Sequence, residues 1–149
     1  MQKHNQDTAQ IRFTIRGNHE DPMGNALPKL KMTGRQHWTP QAQKYVKWKN
    51  HVLGECIRAT KDVHPAWSLM IRNIGMKGKP FGTSLKLKAV MDLTIRWKHN
   101  AHGDPENIFG SIADSLFFQD KDLDGSFESA VSEDGHGLVE VVITLININ

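Results

Sequence analysis

Leu85-Lys86-Leu87-Lys88-Ala89-Val90-Met91-Asp92-Leu93-Thr94-Ile95-Arg96-Trp97-Lys98 is the stretch that decides the fold, because every second side chain in it is apolar. An extended chain sends successive side chains to opposite faces of a sheet. The period of two therefore predicts a long strand with an apolar face and, opposite it, a largely basic one. Any solvent-facing side of a sheet can look like this, so the charge bias points only slightly toward nucleic acid.

Outward from that strand the patterning alternates between periods. His99 to Gly103 breaks the extended run, and Asp104-Pro105 opens a helix whose stripe is Ile108, Ile112 and Leu116 with Phe109 and Ala113. Upstream, Ile11 to Arg16 alternates as a half-buried strand. Thr39-Pro40 gives a hydroxyl N-cap and a proline at the first helical position. Tyr45, Trp48, Val52 and Cys56 follow at helical spacing, widened by Leu53 and Ile57, and the helix should run to about Ala59.

Trp67 to Ile71 reads as a short strand. Ser126 to Val131 and Leu138 to Ile146 read as a closing pair of strands joined through Glu133 to Gly137. Gly17 to Trp38 and Gly75 to Gly82 lack periodicity. The first of these is a long, basic, mobile loop carrying Lys29, Lys31 and Arg35. The order of main elements is β-α-β-α-β-β. It predicts an α+β fold: a single domain with a mixed β-sheet and two main helices, spanning 10–149 after a flexible polar terminus at 1–9.

The chain has 149 residues, which suits one domain able to bury a core without disulfides or a structural metal. Its single cysteine, Cys56, falls on the apolar side of the first helix and reads as a small buried hydrophobe. The polar stretch from Met1 to Gln10 lacks the apolar core of a signal peptide, and no run is long enough to span a bilayer. A cytoplasmic protein with no membrane partner is the expectation. The net charge of +3 excludes little by itself, but acidic and basic residues separate along the chain.

The acidic residues gather around the second helix: Asp104, Glu106, Asp114 and Asp120, with Asp122 and Asp124 beyond. Carboxylate oxygens hold hard divalent cations, and one or two Mg²⁺ ions can neutralise a scissile phosphate and activate a water. Asp104 and Glu106 stand where a strand hands over to a helix, and the loop after the helix can fold back to bring a third carboxylate. On spacing alone helix capping is the favoured account of the first two: Asp before Pro is an ordinary N-cap, and Glu in the first turn suits the helix dipole. Asp120 to Gly125 also fits the opening of a calcium loop, although Val131 stands where its bidentate Glu should be. His99 and His102 are three apart, without the further ligands a transition-metal site needs.

His102-Gly103-Asp104-Pro105-Glu106-Asn107-Ile108, then Asp114-Ser115-Leu116 and Gln119-Asp120-Lys121, resembles the core of the RusA-type Holliday-junction resolvases, particularly longer phage and prophage members. The family pattern is Asp-x-Asp-Asn, a lysine three residues on, Asp-x-Leu, and an acidic loop ahead of a strand. The order of strand, basic loop and Tyr45/Trp48 helix extends the resemblance over most of the chain.

The resemblance implies a homodimeric endonuclease that makes paired nicks in four-way-junction DNA during recombination and repair. Its cofactor would be Mg²⁺, with Mn²⁺ as the alternative ion. Asp104, Glu106 and Asp120 would be the catalytic metal ligands, supported by Asn107, Asp114 and Lys121. DNA would be gripped by Lys29, Lys31, Arg35, Lys86, Lys88 and Lys98. There are two departures. Glu106 replaces an aspartate, and the motif lysine falls on Gly110, where nothing fills its place unless Lys121 or Lys98 does. A junction-binding protein without catalysis and a calcium-binding module built on the Asp120–Gly125 turn are the competing readings.

Overall fold

The computed structural model describes residues 8–30, 39–60, 87–100, 102–117 and 123–147. Its elements are β1 (Thr8–Arg16), α1 (Pro40–Thr60), β2 (Leu87–Trp97), α2 (Pro105–Leu116), β3 (Leu123–Val131) and β4 (Leu138–Asn147). This is the expected α+β order, with one mixed four-stranded sheet ordered β1-β4-β2-β3. The expected strand at Trp67–Ile71, the loop at Gly75–Gly82 and the first residues of the long strand, Leu85 and Lys86, lie outside the described residues. β1 begins at Thr8, inside the stretch assigned to a flexible terminus, and β3 begins at Leu123 rather than Ser126.

The two last strands follow one another in the chain without pairing. β3 runs parallel to β2, with Ala89 opposite Leu123, while β4 runs antiparallel to both β1 and β2. A parallel neighbour requires a crossover connection, and α2 supplies it. Among the described residues no helix is long and apolar enough to cross a membrane.

Both helices lie on the apolar face of the sheet. Ile11, Phe13 and Ile15 of β1, Met91, Leu93, Ile95 and Trp97 of β2, and Val139, Val141 and Ile143 of β4 are all buried. The α1 stripe of Ala42, Tyr45, Trp48, Val52 and Cys56 closes over them with Ile108, Ile112 and Leu116 of α2. Thr39 caps α1 as its sequence predicts, its Oγ1 accepting the Ala42 N–H at 3.1 Å. Ile57, expected in the buried stripe, is 43% exposed. At about 100° per residue it sits well over a right angle from Val52 and Cys56 on average, and so turns past the edge of the core.

Ser111 is the buried polar residue of this core. Its hydroxyl donates to the Leu27 carbonyl at 2.6 Å and accepts from the Trp48 indole N–H at 3.1 Å. One oxygen thereby ties α1, α2 and the segment after β1 together.

The described part of the expected mobile loop is held in place. Asn18 Oδ1 accepts the N–H groups of Glu20 and Asp21, and Asn18 Nδ2 donates to the Asn25 carbonyl. Gly17 donates to the Gly137 carbonyl, and Gly137 donates to the Met23 carbonyl at 2.8 Å. Gly17 has φ +56, which favours glycine, and a Cβ at Gly137 would lie 2.1 Å from the Gly24 oxygen. Ala26 is buried in the core, with Leu27 and Leu30 packed against it. Local polar composition hid the contacts to Gly137, which join residues far apart in the chain. Residues 31–38 of the loop lie outside the described residues.

Ser111→Ala leaves the Trp48 N–H and the Leu27 carbonyl without that partner. We expect it to cost about 1–3 kcal/mol in denaturant unfolding. Cys56 is buried and its thiol is pushed up to about 12 by that burial. Native protein at neutral pH should therefore react with iodoacetamide only as fast as it unfolds, which mass spectrometry under increasing denaturant will measure.

Candidate functional site

β1 ends, β4 begins and β2 ends at one edge of the molecule, since Arg16 and Arg96 both pair with Leu138. The chain leaves β2 there and starts α2. His102 stacks on Trp97 with ring centroids 4.2 Å apart and planes 4° from parallel, and its Nδ1 lies 2.8 Å from the Gly103 carbonyl oxygen. Stacking and hydrogen bond together fix the turn that delivers Asp104.

Asp104 is the N-cap of α2: its Oδ1 accepts the Glu106 N–H at 2.9 Å, and its carbonyl accepts from Asn107 and Ile108. The second carboxylate oxygen, Oδ2, has no partner among the described residues. Glu106 is exposed in the first turn. The structure thus places two carboxylates, two residues apart, at a strand-to-helix junction, one with its orientation fixed by capping. Capping by itself does not exclude a second role for Asp104, because it uses one carboxylate oxygen and leaves the other.

The remaining expected residues have different placements. Asp120 and Lys121 lie outside the described residues, between Phe117 and Leu123. Those two flank the end of α2 opposite Asp104, and the 12 residues of the helix span about 18 Å. Among the described residues no three His, Cys, Asp or Glu side chains group closely enough to hold a metal ion. Asp114 faces α1: it accepts from the Tyr45 hydroxyl at 2.7 Å and pairs with Lys49 at 3.6 Å. Burial, and then this carboxylate, push the Tyr45 hydroxyl upward, so it stays a donor at neutral pH. Asn107 contributes its carbonyl, which accepts the Lys29 N–H at 3.0 Å.

Of the expected DNA-binding cations, Lys31, Arg35 and Lys86 lie outside the described residues, and Lys88 stands in β2 opposite Ile146. Lys98 is committed within the protein, its ammonium donating to Asp21 at 2.9 Å while its N–H donates to Asn25 Oδ1. The helix-free face of the sheet is not the basic surface that β2 alone suggests. Arg12, Arg16 and Arg96 share it with Glu140 of β4 and with Asp124 and Glu128 of β3, and Arg96 pairs with Glu128 at 3.5 Å.

The place beside Gly110 is not empty either. A Cβ at Gly110 would stand 3.4 Å from Lys29 Cδ and 3.7 Å from Lys29 Cβ, so the Lys29 stem lies across it. No sequence signal connects the two positions, because the contact depends on how residues 27–30 pass over α2. The calcium-loop reading fares worse than the carboxylate pair: Leu123 to Val131 forms a strand, with Gly125 paired to Met91 rather than turning a loop. In comparisons with protein-family models and with curated protein sequences, no family model and no curated sequence matches this chain.

Lys98 and Asp21 form a latch between the end of β2 and the loop after β1. The Lys98 ammonium, and next the Met23 N–H, hold the Asp21 carboxyl below its ordinary value of 3.8. A depressed folded-state pKa means that the latch is at full strength at neutral pH and is lost as pH falls through that lowered value. We expect Asp21→Asn to reduce hydrogen-exchange protection at Gly137 at pH 7. In the wild type, protection at Gly137 should drop only below about pH 3.8, where the carboxylate itself is neutralised. Equal protection in the two proteins at pH 7 would show that the latch does not hold the loop.

Proposed function

We propose that this protein is a Mg²⁺-dependent endonuclease of branched DNA, acting in the cytoplasm as a homodimer that nicks four-way junctions. The observation that carries the reading is the carboxylate pair at the start of α2, where Asp104 is held by its own capping bond beside the exposed Glu106. Two hard oxygen donors two residues apart suit a divalent cation that prefers oxygen and keeps several waters. The bound ion would neutralise the scissile phosphate and lower the pKa of a water.

The chain's own residues then have separable tasks. Asp104 and Glu106 hold the ion, and the α2 N-terminus, rich in N–H groups, favours the negative charge that gathers there. Asp120 is the proposed third ligand, which requires the connection between Phe117 and Leu123 to approach Asp104 along α2 or from a second copy. Lys31, Arg35, Lys86 and Lys88 are the proposed contacts to the DNA backbone, whereas Lys98 serves the Asp21 latch. Asn107 and Asp114 support the site through the backbone of the first turn and through the α1–α2 contact.

A synthetic four-way junction incubated with protein and Mg²⁺ tests the reading against linear duplex and against metal-free controls. We expect junction cleavage that needs the metal, and losses of about a hundredfold or more in Asp104→Asn and Glu106→Gln, with junction binding retained. Asparagine still caps the helix at 104, so the thermal midpoint should change little. Full activity in both variants sinks the assignment. Activity retained only in Asp120→Asn would move the third ligand elsewhere and leave the pair in place.

A further inference from the structure

The segment after β1 is built to deliver one cation to α2. Leu27 and Leu30 pack against the core on either side of Lys29. The Leu27 carbonyl accepts from Ser111, and the Lys29 N–H donates to the Asn107 carbonyl at 3.0 Å. Pro28 fixes the backbone angle just before the lysine. The lysine backbone is therefore held along residues 107–111 of α2 by two hydrogen bonds and two apolar anchors.

Its side chain is guided as well. The stem crosses Gly110, where a Cβ would stand 3.4 Å from Lys29 Cδ. Glu106 and Gly110 are four residues apart on the helix and so share a face, with about 5–6 Å between such positions. Lys29 is exposed, and no described carboxylate pairs with its ammonium. Lys98, by contrast, is neutralised by Asp21 at 2.9 Å.

We infer that Lys29 is the phosphate-binding cation of the Asp104–Glu106 site, its ammonium carried over Gly110 to meet the phosphodiester at the metal. This goes beyond a general DNA contact: the residue would act on the charge that develops at the reacting phosphate, and Gly110 is the opening that lets it. The inference rests on the nuclease reading. Its chemistry follows from placement, since a cation whose backbone is fixed before substrate arrives loses little freedom when it binds an anion. A lysine ammonium also suits a phosphate as a compact point charge.

The test is single-turnover cleavage of a four-way junction at saturating Mg²⁺ by wild type, Lys29→Met, Lys29→Arg, Lys29→Ala and the double variant Lys29→Ala/Gly110→Lys. Methionine keeps a stem over Gly110 and removes only the charge. We expect Lys29→Met to cut about a hundredfold more slowly, with an unchanged thermal midpoint and an unchanged Mg²⁺ concentration for half-maximal rate. Lys29→Arg should stay close to wild type. The double variant, which returns a cation to the same place from α2 itself, should recover about tenfold over Lys29→Ala. Wild-type protein that does not cut sinks the nuclease reading, and this inference with it. Wild type that cuts while Lys29→Met cuts equally fast overturns the inference alone. An equal loss in Lys29→Arg and in the double variant overturns it too, by showing that the stem matters and the charge does not.

Discussion

β4, the last of the described strands, sits in the interior of the sheet, and the rest of the described fold waits on it. β1 and β2 do not pair with each other: each is paired with β4, from Thr8 opposite Ile146 on one side to Leu87 opposite Asn147 on the other. The covered face is therefore assembled from strands that are far apart in sequence, with Ile11, Ile143 and Met91 in one row and Phe13, Val141 and Leu93 in the next. Pairings of such long sequence separation carry a high loop-closure cost before they return any stabilisation. The β2-α2-β3 unit is more local, because its parallel pairing closes through a single helix.

Inserting β4 also shapes the end of the molecule where α2 begins. Its entry at Leu138 stands between the exits of β1 and β2, which brings the turn at 132–137 against both neighbouring connections. Gly17, Gly137 and Met23 are joined there by two backbone hydrogen bonds, and Ser132 donates to the Trp97 carbonyl at 2.8 Å. The segment after β1 can then run back along α2 rather than into solvent. Its course sets the Asp21–Lys98 ion pair, the buried Ser111 bond and the position of Lys29. The carboxylate pair owes its place to β2 and α2, while Lys29, whose stem crosses Gly110, owes its place to β4.

That division explains what could be read from the sequence. The strands and both helices declare themselves through periods of two and of 3.6, and both helix starts through Thr39-Pro40 and Asp104-Pro105, because these signals depend on neighbours along the chain. The capping place of Asp104 and the first-turn place of Glu106 were legible for the same reason. What escaped was tertiary. Ile57 carries an apolar side chain but stands just beyond the core edge. The polar stretch from Gly17 looks solvated until Gly137 and Lys98 are placed against it. The long strand looks basic until Glu140 and Glu128 join its open face from β4 and β3. The lysine over Gly110 comes from another part of the chain, and no local pattern could have named it.

The same separation bears on why an aspartate stands at 104. Asparagine and aspartate cap helices about equally well, so the bond from Asp104 Oδ1 to the Glu106 N–H does not itself require a charge. The helix dipole adds a further preference for the carboxylate, about 0.3–1 kcal/mol at an exposed terminus. Glu106, in the same turn, draws on the same dipole, and placing two like charges together offsets part of that gain. The fold thus gains little from having both residues ionised. Two exposed carboxylates in the first turn, with a lysine stem one turn along the same helix, therefore add little to the stability of the fold through their charges alone.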